Sequence, residues 1–173
     1  YNGWHLSKAD GFINIEYDFE IEGLCEFHPT TKIKIENLDL ANEYNSKAAN
    51  RIIFSLGMVE LISYWKCACP PTVEIRCGRL SPSDADWWKK LYFGGLSEFF
   101  YINSIETSFE EFMEIKAQND GDEQIIFAPY NSREINLIPI GGGKDSCVTA
   151  HLLRSFGEKN RFMTVNDQKA RTD

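Results

Sequence analysis

The chain is predicted to be α/β: an α+β domain with an antiparallel hairpin, followed by the start of a parallel-sheet domain that is cut short. Three observations predict this. Residues 12–22 alternate apolar and polar side chains, the two-residue period of a strand with one wet face. Residues 46–66 place apolar side chains at helical spacing. A short apolar run, Ile135–Ile140, leads through Gly141-Gly142-Gly143-Lys144-Asp145-Ser146 into another helical stretch, the order strand, glycine loop, helix, strand expected of a βαβ unit.

The composition sets the outer limits. With 173 residues, 43% hydrophobic and 25% charged, the chain can bury one good core and is not disordered. Eighteen Lys and Arg stand against 26 Asp and Glu, a net charge of −8. That argues against a general binder of nucleic-acid backbones, which must neutralise phosphates with basic side chains. No uncharged run is long enough for a membrane-spanning helix, which needs roughly 20 residues, and no basic start precedes an apolar stretch as in a signal peptide. Five cysteines, an odd number, suggest free thiols in a reducing cytoplasm. The chain starts at Tyr1 and ends on Lys169–Asp173 without a closing element, so a fragment is expected.

The elements follow in order. In residues 12–22, Ile13, Ile15, Tyr17, Phe19 and Ile21 should face inward and Asn14, Glu16, Asp18 and Glu20 outward. Thr31–Ile35 repeats the pattern, with Ile33 and Ile35 inside and Lys32 and Lys34 outside. A hairpin would pair the lysine face with the glutamate face. Ser46 is placed to cap a helix reaching about Lys66, with Ala49, Ile52, Ile53 and Leu56 on one face. Glu60 falls on that same face, where a carboxylate is costly unless paired or used. An ion pair, with Lys66 or a distant Arg, is the plain reading; substrate contact is the functional one.

Cys69-Pro70-Pro71 ends this helix, and Thr72–Cys77 reads as a short strand. Cys67, Cys69 and Cys77 could supply three thiolates. They lack the Cys-x-x-Cys knuckle and fourth ligand of a structural zinc site, so they are read as buried thiols. Ser81-Pro82-Ser83-Asp84 opens a helix rich in aromatics, with Trp87, Trp88, Leu91, Tyr92 and Phe93. Gly94-Gly95 interrupts it, and Leu96–Ile102 resumes with Glu98 among Phe99, Phe100 and Tyr101. The aromatic stripe is expected to be core. Glu98 is a second carboxylate in apolar company. Glu106–Glu123 reads as a solvated helix and a turn, marking the boundary between domains 1–125 and 126–173.

Ile135–Ile140 suits a strand buried on both faces, with Pro139 where the strand leaves the sheet. A helix from Ser146 to Phe156 follows, with Gly157 as its cap, then a strand at Arg161–Val165. Three glycines let backbone N–H groups converge on an anion, and the helix start adds its free N–H groups and dipole. Asp145 beside a phosphate demands a bridging divalent cation, so the loop implies Mg²⁺ with a polyphosphate. The Walker A pattern fails, because Asp145 follows Lys144 and Ile138 stands at the first glycine. The dinucleotide pattern fails at Ser146.

Gly141–Ser146 resembles the Ser-Gly-Gly-x-Asp-Ser loop of the PP-loop ATP pyrophosphatases, with Gly141 in place of the first serine. More broadly, the segments Gly57–Lys66, Trp87–Leu91, Gly94–Asn103 and Ile140–Ser146 together resemble the bacterial UDP-N-acetylmuramoyl-L-alanyl-L-glutamate epimerase family. That resemblance implies a recognition domain followed by an incomplete PP-loop domain, whose C-terminal half lies outside this chain. It implies ATP and Mg²⁺ as cofactors, held by Gly141, Gly142, Gly143, Lys144, Asp145 and Ser146, with Asp145 meeting the metal. It implies a UDP-muramoyl dipeptide substrate whose terminal L-Glu becomes D-Glu through an acyl-adenylate, in peptidoglycan precursor synthesis. Glu60, Glu98 and Lys66 are the candidates for substrate contact or proton handling; Cys67, Cys69 and Cys77 are weaker ones. The alternatives are another PP-loop ligase, forming amides or thiolating tRNA, or a non-catalytic nucleotide-binding module if 173 residues is the natural length.

Overall fold

The computed structural model describes residues 1–34, 46–118 and 135–164. The chain divides into two compact units, Tyr1–Ile126 and Phe127–Asp173. It is mixed α and β, with an antiparallel sheet in the first unit and a two-stranded parallel sheet in each.

The first unit begins with a sheet centred on β2, Phe12–Ile21. On one side β2 pairs along Phe12–Asp18 with β1, Gly3–Ala9. On the other, its first half pairs with β4, Thr30–Lys34, and its last three residues with β3, Cys25–Phe27. All these pairings are antiparallel. The two residues between β1 and β2, Asp10 and Gly11, both have positive φ, 52° and 76°, the backbone of a tight hairpin turn. Alternation places Ile13, Ile15, Tyr17 and Phe19 in the core, while Ile21 is only half-buried.

The expected lysine–glutamate pairing does not form. Lys32 stands opposite Asn14, Lys34 opposite Phe12, and Glu16 opposite Thr30. The short β3 takes the last residues of β2, so β4 is pushed back to its beginning. As part of an edge strand, Ile33 is 46% exposed; Ile35 lies outside the described residues.

Helix α1, Lys47–Trp65, starts at Ser46, whose side chain accepts a hydrogen bond from the Ala49 backbone N–H. Its buried face is Ile53, Phe54, Gly57, Met58, Leu61 and Trp65, and it packs on β2 through the Tyr17 hydroxyl, which donates to the Ile53 carbonyl. The face is therefore rotated from the one expected: Ile52 and Val59 are 63% and 52% exposed. Gly57 is required by close packing, since a Cβ there would collide with the ring atoms of Tyr1 and Tyr17.

Beyond Pro70-Pro71 runs β5, Thr72–Arg79, parallel to β6, Glu114–Gln118. The solvated helix expected over Glu106–Glu123 is thus corrected. A single turn, α4 at Phe109–Phe112, leads straight into a strand. Phe112 and Met113 are 5% and 1% exposed, and Ile115 and Ala117 alternate with exposed Glu114 and Lys116. The charges sit on the wet face of a strand. The turn expected at Asn119–Asp122 lies outside the described residues.

Between these strands come α2, Pro82–Gly95, and α3, Ser97–Ile102. Ser81 and Asp84 form a reciprocal capping box at the start of α2. Trp88, Tyr92 and Leu96 recur every four residues and are buried, and the Tyr92 hydroxyl donates to the Met58 carbonyl at 2.6 Å. The aromatic stripe is core in this half, while Trp87, Leu91, Tyr101 and Ile102 are exposed.

The second unit is strand, loop, helix, strand. β7 is Asn136–Pro139, α5 is Lys144–Ser155, and β8 is Asn160–Met163, parallel to β7. Pro139 is the last strand residue, where its missing N–H costs no ladder bond. Gly157, at φ 74°, ends α5, and its N–H donates to the Arg154 carbonyl. Among the described residues of this unit Ile138 is the buried large apolar one; Leu137, Val148, Leu152, Phe156 and Phe162 are exposed. β7 is therefore not buried on both faces among the described residues. No helix among them is long and apolar enough to cross a membrane.

Candidate functional site

The glycine loop is built by the end of β7. The Ile140 N–H donates to the Met163 carbonyl, the last link to β8. The backbone then turns through Gly142 at φ 77°, a conformation that costs a side-chain-bearing residue about 1–2 kcal/mol. Gly143 is extended and stands at the cap position of α5 without a side-chain bond to the helix. The first N–H groups of an α-helix have no partner within it, and here no cap side chain takes them.

Gly141 and Gly143 differ from Gly142. Neither has a positive φ, and nothing lies within 4 Å of where a Cβ would stand. Neither conformation nor internal packing requires glycine at these two positions. A smooth backbone open to close approach is what they leave. Lys144 and Asp145 are exposed beside them. The Ser146 hydroxyl donates to the Gly143 carbonyl at 2.9 Å and the Thr149 hydroxyl to the Asp145 carbonyl at 2.9 Å. The Ser146 proton is thus engaged in closing the loop, which leaves backbone N–H groups and Lys144 as the donors for an anion. Asp145 supplies the one carboxylate in the first turn.

The other candidates lie in the first unit. Glu60 is half-buried on the flank of the packed face of α1. Burial, and then the Glu60 charge, push the Tyr17 phenol up to about 12. Burial, then Glu60, then Cys67 raise that of Tyr64. Lys66 is exposed at the C-terminal end of α1, its Nζ 6.0 Å from the centre of the Phe99 ring. Glu98 is exposed in the first turn of α3. The apolar surroundings expected for Glu98 are absent, because Phe99 and Phe100 turn to the core while the carboxylate faces out. The structure brings Lys66 to the helix that carries Glu98.

The cysteines are all free. Cys67 is exposed, against the expectation of burial, and Cys69 and Cys77 are half-buried. Burial pushes the Cys77 thiol up to about 11, so it is not a thiolate at neutral pH. Among the described residues no three His, Cys, Asp or Glu side chains are grouped to hold a metal ion.

One site went unmarked in the sequence. A cleft of about 320 Å³ lies between the end of β2, the C-terminal half of α1 and β5. Phe19, Phe27, Tyr64 and Trp65 supply its aromatic lining, with Phe27 and Phe19 4.8 and 5.3 Å from Tyr64 between ring centres. Arg76 donates to Glu74 Oε2 from Nε and Nη2, at 3.2 and 2.9 Å, and to Asn2 Oδ1 at 3.3 Å. Asn2 Nδ2 donates in turn to Glu20 Oε2 at 3.3 Å. The alternation Glu74-Ile75-Arg76 was the available signal, since it places two charges on one face of a strand.

A family model described as the MurL N-terminal domain matches residues 1–173. The chain is also similar to the UDP-N-acetyl-alpha-D-muramoyl-L-alanyl-L-glutamate epimerase of Xanthomonas oryzae pv. oryzae (strain MAFF 311018). Identity is 30% over 114 residues, 65% of this chain and 24% of that protein. The aligned part thus spans about a quarter of the relative's length. No solved structure matches.

Proposed function

Because the chain belongs to the MurL N-terminal domain family, we propose that it is the N-terminal part of an ATP-dependent epimerase acting in the bacterial cytoplasm. The enzyme inverts the terminal L-Glu of UDP-N-acetylmuramoyl-L-alanyl-L-glutamate, a peptidoglycan precursor. The supporting observation in the structure is the pair Gly141 and Gly143, glycines that neither φ nor packing explains, at the uncapped start of α5.

The residues present suit a nucleotide with Mg²⁺. Backbone N–H groups of the loop and of the first turn of α5 would hold phosphate oxygens, and Lys144 would add a positive charge. Asp145 would hold Mg²⁺ against them, which removes the repulsion between carboxylate and phosphate. Ser146 would act through the backbone, by fixing the loop. This second unit is then the opening of a PP-loop domain. Bound ATP supplies the group that neutralises the glutamyl carboxylate and so makes its α-proton acidic. Of the three proton-handling candidates, Glu60 has the more enclosed setting: half-buried and beside two phenols that stay protonated. Lys66 and Glu98, both exposed, fit contact with an anionic and an amide-rich substrate.

The test uses the full-length protein with ATP, Mg²⁺ and the L-Glu-terminated muramoyl dipeptide nucleotide. AMP and D-Glu should both form. Asp145→Asn should lower both about 100-fold, the order of effect seen when one charge-stabilising group is removed. It should also weaken Mg²⁺-dependent binding of a fluorescent ATP analogue. AMP without D-Glu would replace the epimerase with another adenylating enzyme of the same loop type.

A further inference from the structure

We propose that the cleft between β2, α1 and β5 binds a neutral hexosamine ring, the sugar portion of the substrate; this rests on the epimerase reading for the substrate's identity. The argument is one of charge and hydrogen-bonding capacity. Besides its aromatic lining, the cleft presents Glu20, Glu22 and Glu74 as carboxylate acceptors, Arg76 as its cationic side chain, and Asn2, Thr72 and the Tyr64 hydroxyl as neutral polar groups. An anionic ligand, such as a diphosphate or the glutamyl end, would meet three carboxylates against one guanidinium. A cationic ligand would compete with Arg76, which already bridges Glu74 and Asn2 and lies 3.8 Å from Glu20.

A polyhydroxyl ring avoids both conflicts. Each hydroxyl both donates and accepts, so it can use the free lone pairs of the carboxylates and the remaining donors of Arg76 without breaking the existing network. Glu20, Glu74 and Arg76 are 35%, 55% and 55% exposed at their side chains, so they are reachable while held in place. The apolar face of a pyranose can pack on Phe27 and Tyr64, which are half-buried and tilted against each other at 4.8 Å, with the buried Phe19 ring behind Tyr64. The volume of about 320 Å³ is at the low end for a small-molecule site, enough for one substituted ring and too little for a whole sugar nucleotide.

The experiment is saturation-transfer difference NMR on the full-length protein with the methyl glycoside of N-acetylglucosamine. UMP and Nα-acetyl-lysine amide serve as the anionic and cationic probes. The sugar should receive saturation in the wild type and about tenfold less in Arg76→Ala and Tyr64→Ala, a factor worth one lost hydrogen bond or ring contact. Arg76 is exposed at the surface, so its variant should keep the wild-type near-UV circular dichroism even if Tyr64→Ala does not. No transfer to the sugar, equal transfer in Arg76→Ala, or cleft-dependent transfer to either charged probe would overturn the proposal. In the enzyme assay Arg76→Ala should raise KM for the muramoyl dipeptide nucleotide about tenfold with kcat kept; an unchanged KM would also overturn it. If D-Glu never forms while the sugar still loses contact in the variants, the epimerase reading fails and the hexosamine site stands.

Discussion

Single residues in this chain divide by what their surroundings demand of them. Gly57 is glycine because Tyr1 and Tyr17 lie against it, and Gly78 because the Phe54 ring does. Gly57→Ala should destabilise the fold by about 1–3 kcal/mol, the usual cost of forcing a methyl group into a filled core, and thermal denaturation would show it. Gly143→Ala is the contrast. Open space surrounds that position, so the variant should melt with the wild type. If the loop receives phosphates, ATP binding should nevertheless weaken. A Gly143→Ala protein that binds the nucleotide analogue normally would remove the close-approach argument for that glycine. The place of the glycine loop between β7 and α5 was legible in the sequence, because an apolar run, three glycines and a helical stretch are local signals. The exposure of Glu98 was not, because the side on which one helical residue sits depends on how α3 meets the core, which a few flanking aromatics do not reveal.

Elements were legible where a local signal set both period and end. Ser46 and Ser81 cap their helices as expected, and Pro70-Pro71 closes the first. The cap of α2 is testable: Ser81→Ala removes one side of a reciprocal pair, in which Asp84 N–H donates to Ser81 Oγ and Ser81 N–H to Asp84 Oδ2. The loss should be about 1 kcal/mol in chemical denaturation, and little further should be lost on adding Asp84→Ala, because the two groups act together. β1 was overlooked even though Asp10-Gly11 is a strong hairpin signal. Its sequence, Gly-Trp-His-Leu-Ser-Lys-Ala, alternates too weakly to declare itself without its partner. β6 reads as a solvated helix because of the acidic residues around it; the period-two alternation of Met113, Ile115 and Ala117 is only three apolar residues long. The pairing of β4 was misplaced for a non-local reason, since register along β2 depends on what β3 occupies first.

At the scale of the molecule, the two units are held by different means. The first buries a continuous cluster that runs from Tyr1 to Met113 and is rich in tyrosine, tryptophan and phenylalanine. The second buries Ile138 and leaves most of the apolar side chains of α5 and β8 in water. That tyrosine-rich core gives the first unit a definite response to alkali. The ordinary value for a phenol is 10.0, and burial followed by the Glu60 charge raises Tyr17 to about 12; burial alone raises Tyr92. Burial also lifts Cys77 from 9.0 to about 11. In the unfolded chain these groups would lose their protons at the ordinary values, so between about pH 9 and 12 the native state holds protons that the unfolded state has released. Stability is then full below pH 9 and falls as pH rises through this window. Tyr17 and Tyr92 should therefore ionise together with unfolding, as one step in tyrosinate absorbance that coincides with loss of near-UV circular dichroism. Tyr17→Phe and Tyr92→Phe should each shrink that step and move it to higher pH, at the cost of the hydrogen bonds to Ile53 and Met58. Exposed phenols such as Tyr101 ionise around the ordinary value in any case; if the part of the signal that Tyr17→Phe and Tyr92→Phe remove also rises there, well before the fold is lost, water reaches these two phenols and the packing of α1 on β2 and α2 is looser than its geometry.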